Sequence, residues 1–149
     1  MSSDRFRVCV AVYGVLVEDG RVLLARRAGT GYRDGQLGLP SGHLEDGEDA
    51  VAGLCRELRE GLAISVARDQ CMLGTVLHRS REHPGDDEYI DLCFWVTGWS
   101  GRPAIAEPGK CTELVWAGLA RLPGDTVDYV AAALRAMQAG QRLLTLGWS

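Results

Sequence analysis

The stretch from residue 49 to residue 60 constrains the fold of this chain more than any other. Apolar side chains recur there at three- and four-residue spacing, which predicts a helix with one apolar face. Acidic residues stand near its start, where the helix dipole favours negative charge, and Gly61 is expected to weaken or end it. The apolar face needs a partner surface, and a β-sheet is the expected one. The apolar positions are Val51, Leu54, Cys55, Leu58 and Leu62.

Several runs rich in apolar and β-branched residues predict the strands of that sheet. Residues 8–17 and 21–26 flank Glu18-Asp19-Gly20, the sequence pattern of a β-hairpin. Residues 28–38 contain four glycines and no periodicity, which predicts a loop. Leu39 precedes Pro40 and is therefore expected to be extended. Later strands are predicted over 71–78, 89–99 and 114–116.

The end of the chain predicts a second helix. Asp125 fits the N-cap of a helix over 126–139, and Gly140 would close it. The order of strands, helix, strands and helix then indicates the α/β class. We expect a single domain over residues 1–149, with a mixed sheet covered by helices.

Composition and charge exclude several classes of protein. The 149 residues suit one domain, with 46% hydrophobic and 24% charged residues as in ordinary soluble proteins. A net charge of −4 argues against binding to a nucleic-acid duplex or an anionic membrane. The apolar run at 8–17 is too short to span a bilayer and leads into a turn. The five cysteines form no C-x-x-C pair and are predicted to be buried free thiols of a cytoplasmic protein.

The first helix also carries acidic side chains at a spacing that matters for chemistry. At about 100° per residue, Glu57 and Glu60 fall on one face, beside the apolar face. Close carboxylates repel one another unless a cation neutralises them, and Mg²⁺ or Mn²⁺ would do so, with phosphate oxygens completing the shell. The same spacing is typical of an exposed face with ordinary salt bridges, so both interpretations stay open. Upstream, a free carbonyl near Ser41 could add an oxygen ligand, and Glu48 could pair with Arg56.

The segment 42–64 resembles the signature of the Nudix hydrolase family. The Leu-Pro-Ser-Gly entry, the LLARR segment, the Trp-Ser-Gly turn and the Leu-Pro before the last helix also fall in the family's order. The resemblance therefore covers nearly the whole chain and is closest to the small MutT-like branch. Seven positions fall on the signature itself: Gly42, Glu48, Arg56, Glu57, Leu58, Glu60 and Ile64.

The resemblance implies a Nudix-type α/β/α sandwich and a reaction. Family members cleave a nucleoside diphosphate linked to another group, using Mg²⁺ or Mn²⁺ held on the signature helix. The resemblance implies that Glu57 and Glu60 hold the metal and help to activate water, with the carbonyl of Ser41 completing the set. It implies structural roles for Gly42, Glu48 and Arg56.

Two positions of the chain depart from the family pattern. Gly61 stands where the family has a second Glu that is usually a central metal ligand, so its loss should weaken metal binding. Ala63 stands where the family has Gly, which is expected to alter only the end of the helix. The MutT-like branch often places a further carboxylate on the loop that contains Glu107. This residue could stand in for the missing one, although a solvated loop Glu explains it equally well.

Several side chains outside the signature are candidates for substrate binding. Arg26 and Arg27 end the second strand, and because successive strand residues face opposite ways, only one of them can point into a cleft. Tyr32 lies in the Gly-rich loop that the family uses near its substrate and could stack on a base. Asp125 lies where MutT-like members often carry an Asn for base recognition, although an N-cap role also explains it. The basic cluster at 78–81 could face an anionic substrate, but a solvated loop is the favoured interpretation.

Two functions stay open on the sequence alone. The first is a metal-dependent pyrophosphohydrolase acting on a nucleoside triphosphate or a related nucleoside diphosphate derivative, with Glu107 compensating for Gly61. The second is a Nudix-fold module that binds a nucleotide or metabolite and cleaves it slowly or not at all. In both cases the partner is a nucleotide-like small molecule. Edge strands and four Trp residues allow a homodimer but do not require one.

Overall fold

Eight strands, two α-helices and one short 3-10 helix make up the part of the chain, residues 4–149, that the computed structural model describes. The strands are β1 (Cys9–Glu18), β2 (Arg21–Arg27), β3 (Leu37–Gly38), β4 (Ser41–His43), β5 (Cys71–Arg79), β6 (Tyr89–Val96), β7 (Cys111–Gly118) and β8 (Leu143–Leu146). The helices are α1 (Ala50–Leu62) and α2 (Asp128–Gln138), and the 3-10 helix is Arg68–Gln70.

The sheet is mixed and has β1 at its centre. β1 pairs in parallel with β6 and antiparallel with β4, and it meets β2 only next to the hairpin turn, as at Val17 and Val22. β2 goes on to pair with β3 and β7, whereas β6 leads to β5 and β8. The turn places Asp19 at φ 54° and Gly20 at φ 72°, and positive φ at both central residues is what a type I′ turn requires. The predicted hairpin is therefore confirmed.

The two helices cover opposite faces of the sheet through two separate hydrophobic clusters. Successive residues of β1 alternate between the clusters, so both faces of this strand are buried over residues 11–16, and its sequence is hydrophobic up to Val17 apart from Gly14. This arrangement is the predicted α/β/α sandwich. On the α1 side, Val12 and Leu16 pack with Leu54, Leu58 and Leu62; on the α2 side, Ala11, Tyr13 and Val15 pack with Val130 and Leu134.

Helix α1 follows the sequence prediction and extends beyond it. The carboxylate of Asp49 caps the helix by accepting a hydrogen bond of 2.8 Å from the N–H of Ala52. The helix runs through Gly61 and ends at Leu62, so Gly61 does not terminate it. Because Gly61 keeps helical geometry, its direction from the axis of α1 follows from the regular spacing of the residues around it.

The start of α2 and two short strands differ from the predictions. Asp125 is not the N-cap: the cap is Val127, without a side-chain bond, because the Asp125 carboxylate is held by Arg26 at 2.7 Å. The backbone around Asp125 is bonded to Leu37 instead. β3 lies inside the predicted loop, and β8 is an unpredicted edge strand. β6 also stops at Val96, and β7 extends well beyond residues 114–116.

The cysteines are less buried than their sequence context predicts. All five cysteines are free, but only Cys93 is buried, and the predicted burial is wrong for the other four, which are partly exposed. Neither helix within residues 4–149 has the length and apolar character needed to cross a lipid bilayer.

Ala63 gives a test of how α1 ends. This residue has φ 58°, in the left-handed region, and its N–H donates to the Arg59 carbonyl at 3.1 Å. A side chain costs about 1 kcal/mol there, and glycine does not carry this cost. We expect Ala63→Gly to raise the free energy of unfolding by about 0.5–1 kcal/mol, measured by urea denaturation. Ala67→Gly is the matched control: Ala67 has φ −83°, so glycine should destabilise there. Equal effects of the two changes on the free energy of unfolding would contradict the left-handed conformation of Ala63.

Candidate active site

Arg56 is the centre of an ion-pair cluster on α1. Its Nε and Nη2 donate to the two carboxylate oxygens of Glu48, each at 2.9 Å, and Nη2 also donates to the His43 carbonyl at 3.1 Å. The predicted pairing of Glu48 with Arg56 is thus present, and it ties the loop before the helix to the helix itself. The guanidinium lowers the pKa of Glu48 to about 2, with help from the N–H of Glu45.

The same guanidinium joins the two carboxylates that follow it. Nη1 of Arg56 donates to Glu57 at 3.0 Å and to Glu60 at 3.1 Å, so these side chains share one face of α1 as predicted. They differ in environment: the Glu57 side chain is 20% exposed, and that of Glu60 is 48% exposed. Burial raises the pKa of Glu57, Arg56 opposes the rise, and the charges of Glu60 and Glu107 add to it. Glu57 therefore gains from any further cation placed beside it.

Gly42 explains how Glu57 comes to be held in place. The Glu57 carboxyl lies directly over this glycine: a Cβ added at residue 42 would stand 2.0 Å from Cδ and 2.1 Å from Oε1 of Glu57. No side chain fits between β4 and α1 at this point. The absence of a side chain at Gly42 therefore leaves the space that the Glu57 carboxyl occupies.

Gly61 and Glu107 face one another from different elements. A Cβ added at Gly61 would find Glu107 Oε1 at 3.8 Å and nothing else nearby. Glu107 belongs to the loop before β7 and is held there in part by its backbone carbonyl, which accepts from Lys110 N at 2.9 Å. A loop carboxylate thus stands next to the place where a side chain at residue 61 would begin.

These groups open onto a cleft of about 460 Å³ between the two halves of the sheet and the start of α2. Glu57, Gly61 and Glu107 line it, whereas Glu60 does not. The cleft also exposes two cationic side chains, Arg27 and Lys110, on the side of the loops. The remaining polar and ring-bearing residues of the lining include Tyr13, Thr30, Tyr32, Ser41, His43, Glu45, Arg79, Tyr89 and Tyr129.

The backbone of β4 leaves one carbonyl available at this cleft. Gly14 N donates to Pro40 O at 2.9 Å, which marks a hydrogen-bonded pair of the β1–β4 ladder. The next pair, Tyr13 with Ser41, must be a non-hydrogen-bonded pair, because the two kinds alternate in an antiparallel ladder. The Ser41 carbonyl therefore points away from β1. Its role as a metal ligand stays a prediction.

Arg26 and Arg27 point in opposite directions, as strand geometry predicts. Arg27 lines the cleft and is braced by the Tyr32 carbonyl at 2.8 Å. Arg26 pairs instead with Glu113 and Asp125, each at 2.7 Å, outside the lining of the cleft. Of the residues predicted to bind substrate, the structure therefore brings Arg27 and Tyr32 to the cleft and leaves Arg26 and Asp125 paired beside it.

Comparison with known proteins identifies the family. The NUDIX domain model matches residues 5–137. The chain belongs to the Nudix family. Membership makes it a hydrolase of phosphoanhydride bonds, and its relatives place it with the MutT-like proteins.

Individual Nudix proteins resemble the chain over most of its length. It is 29% identical over 109 residues to 8-oxo-dGTP diphosphatase of Escherichia coli (strain K12), covering 71% of this chain and 80% of that protein. A MutT NUDIX hydrolase from Burkholderia pseudomallei superposes with a TM-score of 0.79 and 26% identity, over 87% of this chain and 98% of the other. The MutT protein of Methanosarcina mazei Go1, with a TM-score of 0.75 and 18% identity over 88% and 93% of the two chains, shares the fold.

The donor chemistry of this Nudix site fits a hard divalent cation, the kind of cofactor that the family generally uses. Glu57 and Glu107 present carboxylates to one cleft, close enough for their charges to interact. Within residues 4–149, however, no three Asp, Glu, His or Cys side chains converge as a ready-made metal site. One or two carboxylates suffice for Mg²⁺ when phosphates and water supply the other ligands. The site therefore fits a metal that arrives with a phosphorylated ligand.

The burial of Arg79 and its pairing with Asp91 were not predicted from the sequence. Arg79 belongs to the basic cluster expected on a solvated loop, but it ends β5 and is only 6% exposed. It forms a two-pronged ion pair with Asp91, which is completely buried. The available signal was Asp91 itself, a lone carboxylate inside the apolar run 89–96. A charge in such a run needs a buried partner, and Arg79 lies on the neighbouring strand β5, two residues from Leu77, which is opposite Asp91.

Proposed function

We propose that this Nudix protein is a Mg²⁺- or Mn²⁺-dependent pyrophosphohydrolase of a nucleoside triphosphate or a related nucleoside diphosphate derivative. The observation that carries the proposal is the position of Glu107. Its carboxylate stands 3.8 Å from where a side chain at Gly61 would begin, in the same cleft as Glu57. A carboxylate from the loop thus replaces the one that the helix lacks.

The charges of the cleft support a polyphosphate ligand. Arg27 and Lys110 are the cations of its loop side, and Lys110 Nζ lies 3.6 Å from Glu107. Cations next to carboxylates suit a ligand that brings both phosphates and a metal. The relative from Escherichia coli, 8-oxo-dGTP diphosphatase, acts on a nucleoside triphosphate, which supports the same class of substrate here.

Each residue has a distinct task in this proposal. Glu57 and Glu107 hold the metal together with the carbonyl of Ser41, and Glu60 adds negative charge behind Glu57. The bound metal would neutralise phosphate charge and lower the pKa of a water molecule. Arg27 and Lys110 bind phosphate oxygens.

Two further tasks belong to the protein alone. Arg56, fixed by Glu48, orients Glu57 and keeps its buried carboxylate ionised. Tyr32 offers a ring on which a base can stack.

A second function is favoured by one observation, the absence of a helix carboxylate at Gly61. With a weaker metal site, the protein would bind a nucleotide or metabolite and cleave it slowly or not at all. Such a module would keep the cleft and its cations but lose most of the charge stabilisation that phosphoryl transfer requires.

The deciding experiment measures turnover and binding on the same preparation. Purified protein is incubated with a panel of nucleoside triphosphates and nucleoside diphosphate sugars, with Mg²⁺, with Mn²⁺ or with EDTA. Release of pyrophosphate or phosphate is measured, and calorimetry measures binding of the same compounds. Metal-dependent turnover supports the pyrophosphohydrolase. Saturable binding with no turnover under any of these conditions supports the binding module and rejects the enzyme.

Gly61→Glu tests the arrangement of the metal site directly. A carboxylate at residue 61 enters open space beside Glu107, so we expect Mn²⁺ to bind about tenfold more tightly and turnover to rise. Gly61→Gln is the matched control, because it adds the same bulk and helix propensity without the charge. Calorimetry with Mn²⁺ alone gives the affinity. If Gln and Glu have the same effect on it, residue 61 does not face the metal.

A further inference from the structure

The part of the cleft around Arg79 is built from rings and fixed N–H donors. The guanidinium of Arg79 lies between two tyrosine rings, 3.8 Å from the centroid of Tyr129 and 4.6 Å from that of Tyr89. All three side chains line the cleft, together with Tyr32 and Tyr13. His43 connects this part to Gly42 and Glu57, since its ring packs against Tyr89 with centroids 5.7 Å apart. A nucleotide with its phosphates near Glu57 would place its base here.

The two charged side chains of this part differ in what they offer to a ligand. Asp91 takes two N–H groups of Arg79, and the Tyr32 hydroxyl takes a third at 3.3 Å. An arginine guanidinium has further N–H donors and no acceptor. Asp91 has no exposed surface and does not line the cleft, so its oxygens are not offered to a ligand. The charged residue that the cleft presents in this part is therefore a donor.

Arg79 is also held rigidly enough to discriminate between ligands. The ion pair with Asp91 and the two ring faces fix the guanidinium from three directions. A fixed, poorly solvated donor forms a hydrogen bond when a ligand places an acceptor against it. When a ligand places a donor there instead, the remaining hydration is lost and no hydrogen bond replaces it. Because the ion pair is neutral overall, it adds little general attraction for phosphates.

We infer that Arg79 makes this cleft selective for bases that carry a ring carbonyl over bases that carry an amino group at the same position. The inference rests on the proposed function, because it takes the ligand to be a nucleotide. It assigns to Arg79 the reading of the base, with Tyr89 and Tyr129 stacking on the guanidinium and Asp91 as the positioning residue behind it.

Matched ligands test this selectivity without catalysis. Inosine and adenosine monophosphates differ in a carbonyl or an amino group on the base and in whether the adjoining ring nitrogen carries a proton. The uridine and cytidine monophosphates form a second such pair. We expect calorimetry in EDTA to show tighter binding of the inosine and uridine compounds, by about tenfold, as expected for one hydrogen bond to a charged donor. Equal affinities, tighter binding of the amino compounds, or no measurable binding of all four would overturn the inference.

Variants separate the reading of the base from a purely structural role. Arg79→Gln combined with Asp91→Asn removes both buried charges and keeps polar side chains, and we expect the ratio between each pair of ligands to fall to about one. Arg81→Gln is the control, since Arg81 lines a neighbouring groove and not the cleft, and it should keep the ratio. A purely structural role would lower the unfolding temperature of the double variant and leave the ratio unchanged.

The outcome is independent of the hydrolysis assay. If the double variant does not fold, the ratio measured on the unchanged protein still decides. Turnover of triphosphates without base selectivity would reject the inference and leave the proposed function standing. Base selectivity without turnover would support the inference and reject the proposed hydrolysis.

Discussion

Glu57→Gln is expected to lower kcat/KM by about 100-fold or more while the protein stays folded. Glutamine keeps the shape of the side chain and an oxygen that can accept from Arg56. In the unchanged protein, Arg56 Nη1 donates to Glu57 Oε1 at 3.0 Å. It removes the negative charge that the metal and its bound water require, and losses of this size are typical when one group of a charge-stabilising site is removed. Steady-state kinetics with Mg²⁺ measure the effect.

The stability of the same variant separates a lost charge from a lost fold. Burial raises the pKa of Glu57, so at neutral pH the ionised carboxylate is less favourable in the folded chain than in the unfolded one. A neutral glutamine removes that cost, and we expect little change in the unfolding midpoint. Glu18→Gln, on the exposed end of β1, is the matched control and should leave both measurements unchanged. Full activity of Glu57→Gln would exclude Glu57 from the reaction.

Gly42→Ala is expected to lower kcat/KM by about 10- to 100-fold without removing any charge. The added methyl group would stand 2.0 Å from Cδ of Glu57, so the carboxyl must leave its position between β4 and α1. A displacement of this size at a reacting group is costly even when the group itself is kept. Crowding should also lower the free energy of unfolding by about 1–3 kcal/mol. Kinetics and urea denaturation measure the two effects.

Gly118→Ala is the matched control for that change. A Cβ at this position, the last residue of β7, meets nothing within 4 Å. We therefore expect almost no effect on rate or stability. If Gly42→Ala and Gly118→Ala have the same rate, the position of Glu57 seen here is not the one used in catalysis.

The main elements could be predicted because their patterns are local. The hairpin is encoded by Asp19-Gly20, and α1 is encoded by apolar spacing, so both are correct to within a few residues. Glu57 and Glu60 on one face also follow directly from helix geometry. The pairing of Arg56 with Glu48 follows in the same way from the position of Glu48 at the entry to the helix, two turns before Arg56.

The errors arise where a distant partner decides the outcome. Asp125 has a side chain suited to an N-cap, but Arg26 from another strand takes its carboxylate. Arg79 has the sequence context of a surface residue, and its partner Asp91 comes from the neighbouring strand. The approach of Glu107 to Gly61 likewise depends on how the loop before β7 folds back. Spacing along the chain contains no information about such pairs, so these contacts could be found only in three dimensions.

The parallel pairing of β1 with β6 sets the order in which this protein can assemble during synthesis. β1 is central, yet its long partner begins only at Tyr89, opposite Cys9. A nascent chain that ends before residue 89 already contains Gly42, Glu57 and the whole of α1, but lacks the strand that completes their support. Pairings of such long range form slowly and leave apolar surface exposed in the meantime. We therefore expect the acidic end of the cleft to gain its fixed geometry late, after the ribosome has released β6.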